Sequence, residues 1–244
     1  MVDQEILLNF IGMIFESFIL IFAAILLVLI LRKFFVKRHK LTLLLFTIFI
    51  CYFIAIVFSW LSKIFAVLQW DEVQDNLVVS WFYYRISDFR FSELLVAIAI
   101  FLSYILKVNV FEKGYKTMYK YITIVYGVIA CLYIVIIYEN ENDLLDVGAF
   151  LLVFIYMVMV YAPFLRRAIE SYRAVEEKSY KQGFLSLAIM SVSFMLIFLS
   201  FALDRVFILL GSLGFTIFYY LGWIFAIVGI FGAYYGYIRP KAGG

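Results

Sequence analysis

Long apolar runs separated by short polar segments extend along the whole chain, and this is the strongest pattern in the sequence. A helix that crosses a bilayer needs about 20 mostly apolar residues, because each residue rises about 1.5 Å through a hydrocarbon core about 30 Å thick. Seven runs reach this length, so the pattern predicts seven transmembrane helices. We place them at about 10–31, 41–69, 89–108, 119–138, 146–165, 183–210 and 215–238.

The boundary between the last two spans is the least obvious one, because 206–238 is too long for one span and too short for two. A Gly-Ser-Leu-Gly segment at 211–214 is typical of a tight turn, since glycine adopts backbone angles that other residues avoid. Arg239 and Pro240 then end the seventh span, because proline cannot continue a helix. The fold predicted for residues 1–244 is therefore a single all-α, polytopic, seven-transmembrane-helix bundle.

The positively charged residues lie in alternate connecting segments. The other connections hold only Arg85 and Arg90. Basic loops stay in the cytoplasm because their translocation is unfavourable. We therefore expect the N-terminus outside and the C-terminus inside the cell membrane, with basic cytoplasmic loops that offer a docking surface to a protein partner. Sixteen of the twenty Lys and Arg residues lie in the four segments 32–40, 107–120, 166–182 and 239–244.

The composition excludes a water-soluble fold and most catalytic chemistry. Hydrophobic residues make up 67% of the chain and charged residues only 15%, against about 25% in ordinary soluble domains. The lipid bilayer is the expected environment, and we expect no nucleic-acid partner. Metal or nucleophilic catalysis requires convergent side chains, but the chain has one histidine, His39, and two cysteines, Cys51 and Cys131, in apolar runs. We therefore expect neither an enzyme nor a metal site, and the seventh span has no lysine that could hold retinal as a Schiff base.

Five charged residues lie at least four residues inside the predicted spans, all in the half that faces outside: Glu16, Lys63, Glu93, Asp204 and Arg205. A charge at the bilayer centre costs about 2.5–3.5 kcal/mol on insertion scales, so such residues usually face the bundle interior or a water-filled cavity. We interpret them as candidate ligand-binding residues around one cavity. The alternatives are that Lys63 reaches the headgroups, or that Asp204 and Arg205 cap a shorter helix. If Lys63 is buried, we expect Glu16 or Glu93 to be its ion-pair partner.

Small residues follow one face of the seventh span. A smooth stripe of this kind lets another helix approach closely, which is how helices associate in lipid. We expect it to pack within the chain, with a homodimer seam as the alternative use. The stripe recurs at intervals of three or four residues on a helix with about 3.6 residues per turn, and it consists of Gly222, Ala226, Gly229, Ala233 and Gly236.

The second and sixth spans are similar over eight residues. Residues 61–68 read LSKIFAVL and residues 203–210 read LDRVFILL, so that Lys63 matches Arg205 at an offset of 142. Both spans are predicted to run from the inside to the outside, as a parallel 3+1+3 duplication requires. Weak internal symmetry of this kind occurs in transporters, but apolar segments also match by chance.

Parts of the sequence resemble uncharacterised seven-helix membrane proteins of archaeal genomes. The residues that carry this resemblance are KVNVFEK at 107–113, YYLGW at 219–223 and GYIRP at 236–240. In span count and sidedness the chain is also similar to the seven-helix input modules of bacterial and archaeal sensor kinases. Neither resemblance assigns a function to a particular residue.

Two functions from different classes agree with these features. A receptor-like protein that senses or binds a small ligand from outside fits the topology and the charges in the outer half. A small-solute or ion transporter or channel fits the duplication and the same charges, although carriers usually bind at the membrane midplane between broken helices. A structural or assembling role depends on the small-residue face alone. The receptor-like function is our working hypothesis.

Overall fold

The structure is a computed structural model, and it describes residues 2–70, 77–112, 114, 117–137, 139 and 142–238. This part of the chain is helical and holds eight α-helices, the last of which continues into a π-helical turn at Tyr234–Ile238. The helices are α1 (Val2–Lys37), α2 (Lys40–Val67), α3 (Leu77–Ser87), α4 (Arg90–Phe111), α5 (Thr117–Ile136), α6 (Asp143–Ala174), α7 (Lys178–Leu209) and α8 (Ile217–Ala233).

All of these helices except α3 are long and apolar enough to cross a membrane. The protein is therefore a helical, multi-pass membrane protein, as the hydrophobic pattern predicts. Large aliphatic side chains are exposed on the outer surface of the bundle, such as Ile25 and Val28 of α1 and Val125 and Leu132 of α5. Helices that are apolar on all sides are expected where hydrocarbon is the solvent.

The helices differ from the predicted spans mainly at their ends. α1, α6 and α7 extend beyond the predicted bounds, because a polar residue at the edge of the hydrocarbon does not by itself end a helix. The sequence reasoning missed α3, in which the Arg85 guanidinium lies 4.1 Å from the centre of the Trp81 ring. Arg239 and Pro240, which were predicted to end the seventh span, lie outside the described residues.

The turn predicted at 211–214 is confirmed. It lies between the last residue of α7 and the first of α8, and both of its glycines have positive φ angles, 92° at Gly211 and 77° at Gly214. Glycine adopts this left-handed conformation without the steric penalty of a side chain. The Thr216 hydroxyl then accepts a hydrogen bond from the backbone N–H of Phe218 (3.3 Å), which caps the start of α8.

The helices form a bundle in which most sequence neighbours are also spatial neighbours. α1 packs on α2, α2 on α4, α6 on α7 and α7 on α8, while α4 also contacts α5 and α6, and α8 returns to α1. One end of the bundle is here called the N-terminal end. It contains the early part of α1, the first turns of α4, α6 and α8, and the ends of α2 and α7. At the opposite end Lys33 of α1 donates a hydrogen bond to the carbonyl oxygen of Tyr237.

The small-residue face of α8 packs on α7 within the chain. Ala226 and Ala233 on this face are buried, and a Cβ added at any of its three glycines would lie less than 3.0 Å from a side chain of α7. The close packing predicted within the chain is confirmed, whereas the homodimer seam stays a prediction. The contacting pairs are Gly222 with Phe201, Gly229 with Phe194 and Gly236 with Leu187.

Candidate functional site

A buried ion pair joins α1 to α2 at the N-terminal end. The ammonium of Lys63 lies 2.7 Å from Oε1 of Glu16, and the two residues are 1% and 0% exposed. The same carboxylate oxygen accepts hydrogen bonds from the hydroxyls of Ser59 (2.9 Å) and Tyr219 (2.8 Å). We call these four residues the closed cluster. Its geometry confirms that Glu16, one of the two predicted partners, pairs with Lys63, and it excludes the alternative that Lys63 reaches the headgroups.

The ammonium of Lys63 is enclosed on its other sides as well. It donates to the backbone carbonyl of Ser59 (3.2 Å) and lies 4.8 Å from the ring centre of Phe89 and 5.4 Å from that of Tyr219. Cation–π contacts of this kind stabilise a desolvated cation. The closed cluster therefore satisfies its cation internally, and it fastens α1, α2 and α8 together.

Asp204 fastens the last two helices together. Its Oδ1 accepts hydrogen bonds from the backbone N–H (2.8 Å) and the hydroxyl (2.7 Å) of Thr216. Asp204 is buried near the end of α7, and Thr216 immediately precedes α8. The alternative that Asp204 and Arg205 cap a shorter helix is wrong, because α7 continues to Leu209 and Asp204 instead holds the residue that precedes α8.

A second group of charges, three of them buried, lies between α4, α6 and α7. The guanidinium of Arg90 contacts Oδ1 of Asp146 at 2.6 Å and Oε2 of Glu93 at 3.4 Å. We call Arg90, Glu93, Asp146 and Arg205 the cavity cluster. Arg90 and Asp146 were not predicted as site residues, because both lie at the edge of a span, where charged residues are common. The available signal was their combination, an arginine and an aspartate at the starts of two spans that run in the same direction.

Arg205 belongs to this cluster but lacks an anionic partner. Its guanidinium carbon lies 4.7 Å from the ring centre of Phe89 and 5.3 Å from that of Phe150. Within the described part of the chain it forms neither an ion pair nor a hydrogen bond. Its five N–H donors are therefore available to a group that the protein does not supply.

Glu93 is also incompletely bonded. It is only 2% exposed, and its Oε2 accepts the long contact from Arg90. Its Oε1 is buried and has no hydrogen-bond partner among the described residues. A buried acceptor without a partner is rare in folded proteins and costs about 1–3 kcal/mol or more.

Phe89 is the residue that the two cations share. It precedes α4 with a φ of 62° and ψ of 8°, a left-handed conformation that is unfavourable for a side chain of this size. Strain of this kind costs about 1–3 kcal/mol and persists where the surrounding structure enforces it. The strained backbone places one ring next to both Lys63 and Arg205.

A cavity of about 130 Å³ extends inward from this region, between α1, α2, α4, α6, α7 and α8. A single water needs about 10–15 Å³, so the cavity has room for a small organic molecule. Its lining on α7 runs from Arg205 to Phe194, a distance of about 16 Å along the helix. Most of the polar lining residues lie at the N-terminal end, and these are Ser59, Ser92, Glu93, Asp204, Arg205 and Tyr219.

The remaining walls of the cavity are mostly aromatic. Rings from four helices face it, which is typical of sites for small apolar groups. Of the five predicted site residues, Glu93, Asp204 and Arg205 line the cavity, whereas Glu16 and Lys63 do not. The aromatic lining residues are Phe49, Tyr52, Phe53, Phe89, Phe150, Phe194, Phe198, Phe201, Tyr219 and Trp223.

Four aromatic residues, here called the aromatic floor, close the cavity on the side away from the N-terminal end. The Phe194 ring packs against Tyr52 (5.2 Å), Tyr161 (5.3 Å) and Phe49 (6.3 Å). The Tyr161 hydroxyl donates to Ser103 (2.8 Å) and lies 3.2 Å from the Tyr52 hydroxyl. Beyond these rings lies a void of only about 10 Å³, so the cavity does not continue to the opposite end.

The residues described contain no group of three or more His, Cys, Asp or Glu side chains placed to hold a metal ion. Comparison with known proteins found no matching family model, curated protein or solved structure.

Proposed function

We propose that the protein is a receptor-like membrane protein that binds a small ligand, from outside the cell, in the cavity at the N-terminal end. The observation that carries this proposal is the pair of incompletely bonded charged groups, Glu93 and Arg205, on the wall of a cavity in the membrane-spanning bundle. Charged groups within a span are energetically unfavourable, so we treat them by default as candidates for a functional role. A bound ligand would supply the missing partners.

The sidedness of the proposal depends on the basic residues. Arg166, Arg167 and Arg173 of α6 and Lys178 and Lys181 of α7 lie towards the end of the bundle opposite the cavity. The positive-inside rule puts that end in the cytoplasm and the cavity towards the outside. In this orientation the basic ends of α6 and α7 are available to a cytoplasmic partner that reports ligand binding.

A carrier for a small solute is the second candidate. Lys63 and Arg205, the two residues related by the offset of 142, both lie on the ring of Phe89, at 4.8 and 4.7 Å. This juxtaposition favours a duplication, and duplicated bundles are frequent among carriers. The aromatic floor favours the receptor, because it separates the cavity from the other side.

Cysteine labelling distinguishes the two functions. Ser92 and Ser103 lie 11 residues apart on α4, which is about three turns, so they share a face but differ in depth by about 16 Å. Ser92 lines the cavity, whereas Ser103 lies beyond the aromatic floor. Each is changed to cysteine after Cys51→Ala and Cys131→Ala have removed the native thiols, and S212C in the α7–α8 turn is the positive control.

We expect a membrane-impermeant thiol reagent, added outside intact cells, to label S212C and S92C but not S103C. Labelling of S103C from the same side would mean that a path for the reagent continues from the cavity past the aromatic floor. That result would favour a carrier. If S212C is labelled and S92C is not, the cavity does not open to the outside and the receptor proposal is wrong.

A further inference from the structure

The charged residues that line the cavity differ in whether the protein supplies their hydrogen-bond partners. Asp204, the third charged residue in its lining, is satisfied by Thr216. Glu93 has a free acceptor, and Arg205 has free donors. The two incomplete groups therefore have opposite charge, and both belong to the same end of one cavity.

These two groups do not neutralise each other. No nitrogen of Arg205 lies within 4.0 Å of a carboxylate oxygen of Glu93. Glu93 is held by Arg90, and Arg205 is held between the rings of Phe89 and Phe150. The protein thus keeps a buried acid, Glu93, apart from a half-buried base, Arg205, at the same end of one cavity.

A ligand with a single charge would complete only one of these groups. A carboxylate would bind Arg205 and leave the free oxygen of Glu93 without a donor, and an amine would do the reverse. A molecule with both an ammonium and a carboxylate completes both at once. Arg205 suits a carboxylate in particular, since its planar fork of donors matches the two carboxylate oxygens.

The walls next to the two charged groups determine which side chain the ligand can carry. Below Glu93 and Arg205 the lining is apolar and aromatic, with Phe198, Phe201 and Trp223 among the closest in depth. Such walls favour an apolar side chain, because burial contributes about 25 cal/mol per Å² of apolar surface. Glycine or a polar zwitterion would leave this volume unfilled.

We propose that the ligand is a zwitterion with a large apolar side chain, of the class of the aromatic and branched-chain α-amino acids. Its ammonium binds Glu93, its carboxylate binds Arg205, and its side chain enters the aromatic part of the cavity. This assignment rests on the proposed function, that the cavity is a site open to small ligands.

Three probes with the same aromatic tail test the assignment. L-Phenylalanine carries both charges, 2-phenylethylamine lacks the carboxylate, and 3-phenylpropionate lacks the ammonium. Binding of each to the purified full chain in lipid nanodiscs is measured by isothermal titration calorimetry. We expect L-phenylalanine to bind about 10- to 100-fold more tightly than either analogue, because each lost hydrogen bond to a charged group is worth a factor of that size.

Two variants test which residue binds each charged group of the ligand. R205Q should weaken the binding of L-phenylalanine by about 10- to 100-fold and leave the affinity for 2-phenylethylamine unchanged. E93Q should also weaken the binding of L-phenylalanine, but it should leave the affinity for 3-phenylpropionate unchanged. Retained binding of the singly charged analogue shows that each variant is folded. R166Q and E170Q, which remove the exposed ion pair at the other end of α6, are the matched controls.

The possible results separate the two proposals. An analogue that binds as tightly as L-phenylalanine, or an R205Q variant with unchanged affinity, would overturn the zwitterion assignment. If no probe binds while S92C is still labelled from outside, the ligand class is wrong and the proposed function stands. If no probe binds and S92C is not labelled, both proposals fail.

Discussion

The closed cluster and the cavity cluster lie at the same end of the bundle, yet they use their charges differently. In the closed cluster one oxygen of Glu16 receives the ammonium of Lys63 and two hydroxyls. Its other oxygen is buried without a described partner, as one oxygen of Glu93 is, but Glu16 does not line the cavity. In the cavity cluster Arg205 contacts two aromatic rings and, among the described residues, has no carboxylate oxygen within 4.0 Å, and one oxygen of Glu93 has no described partner. The difference teaches that burial of a charge does not by itself indicate a binding site. Hydrogen-bonding capacity that the protein leaves unused, next to a cavity, is the more informative feature.

The largest effect should come from breaking the closed cluster. We expect Lys63→Met to lower the free energy of unfolding by about 3–5 kcal/mol, because Glu16 would remain buried without its counter-ion. The double variant K63M/E16Q should regain much of this loss, since it removes both charges. Thermal or denaturant unfolding of the purified protein in detergent measures both changes. A K63M variant as stable as the native chain would contradict the structural role assigned to the cluster.

A smaller effect is expected from the helix that contributes to both sites. α8 carries Tyr219 of the closed cluster and Trp223 of the cavity wall, and Gly229 sets its distance from Phe194 of α7. A leucine at 229 would force the helices apart, which we expect to cost about 1–3 kcal/mol. The matched control is Val228→Leu, because Val228 is 38% exposed on the other side of α8. Equal thermal stability of the two variants would remove the packing interpretation, and the oligomeric state of G229L tests the homodimer seam.

The smallest effect should come from the same type of substitution in the cavity cluster. Arg205→Met removes no hydrogen bond or ion pair within the described part of the chain. It removes two cation–π contacts, which are worth about 0.5–1 kcal/mol each at partly exposed sites, and a longer-range attraction to the carboxylates of Asp146 and Glu93. We therefore expect the ligand-free R205M variant to lose about 1–2 kcal/mol of unfolding free energy relative to the native chain. A loss as large as that of K63M would show that Arg205 is structural, and the contrast between the clusters would disappear.

The transmembrane architecture could be predicted from the sequence because length and hydrophobicity decide it. Each of the seven spans is recovered, and so is the turn at 211–214. α3 was not predicted, because its 11 residues are too few to span a bilayer and its aromatic side chains are equally typical of an interfacial loop. The spans of α1, α6 and α7 were predicted too short for a similar reason, since a helix continues through the headgroup region as easily as through hydrocarbon.

The site was only partly predictable. Charges within a span can be read from the sequence, and this found all three charged residues in the lining of the cavity, Glu93, Asp204 and Arg205. Which charges satisfy one another depends on how the helices rotate and pack, and no periodicity in the sequence reports this. Arg90 was therefore left in a loop although it is 2% exposed in the fold. The distinction between a closed and an incomplete cluster appears only in the tertiary structure.

If a ligand completes the cavity cluster, a bound probe should lie in the cavity with its charged groups on Glu93 and Arg205. Crystals of the full chain grown with 4-bromo-L-phenylalanine would locate the bromine by its anomalous scattering. The account predicts a bromine peak among the aromatic walls near Trp223, with the carboxylate within hydrogen-bond distance of Arg205 and the ammonium within the same distance of Glu93. A peak on the lipid-facing surface, or a ligand in the cavity whose charged groups contact neither residue, would contradict it.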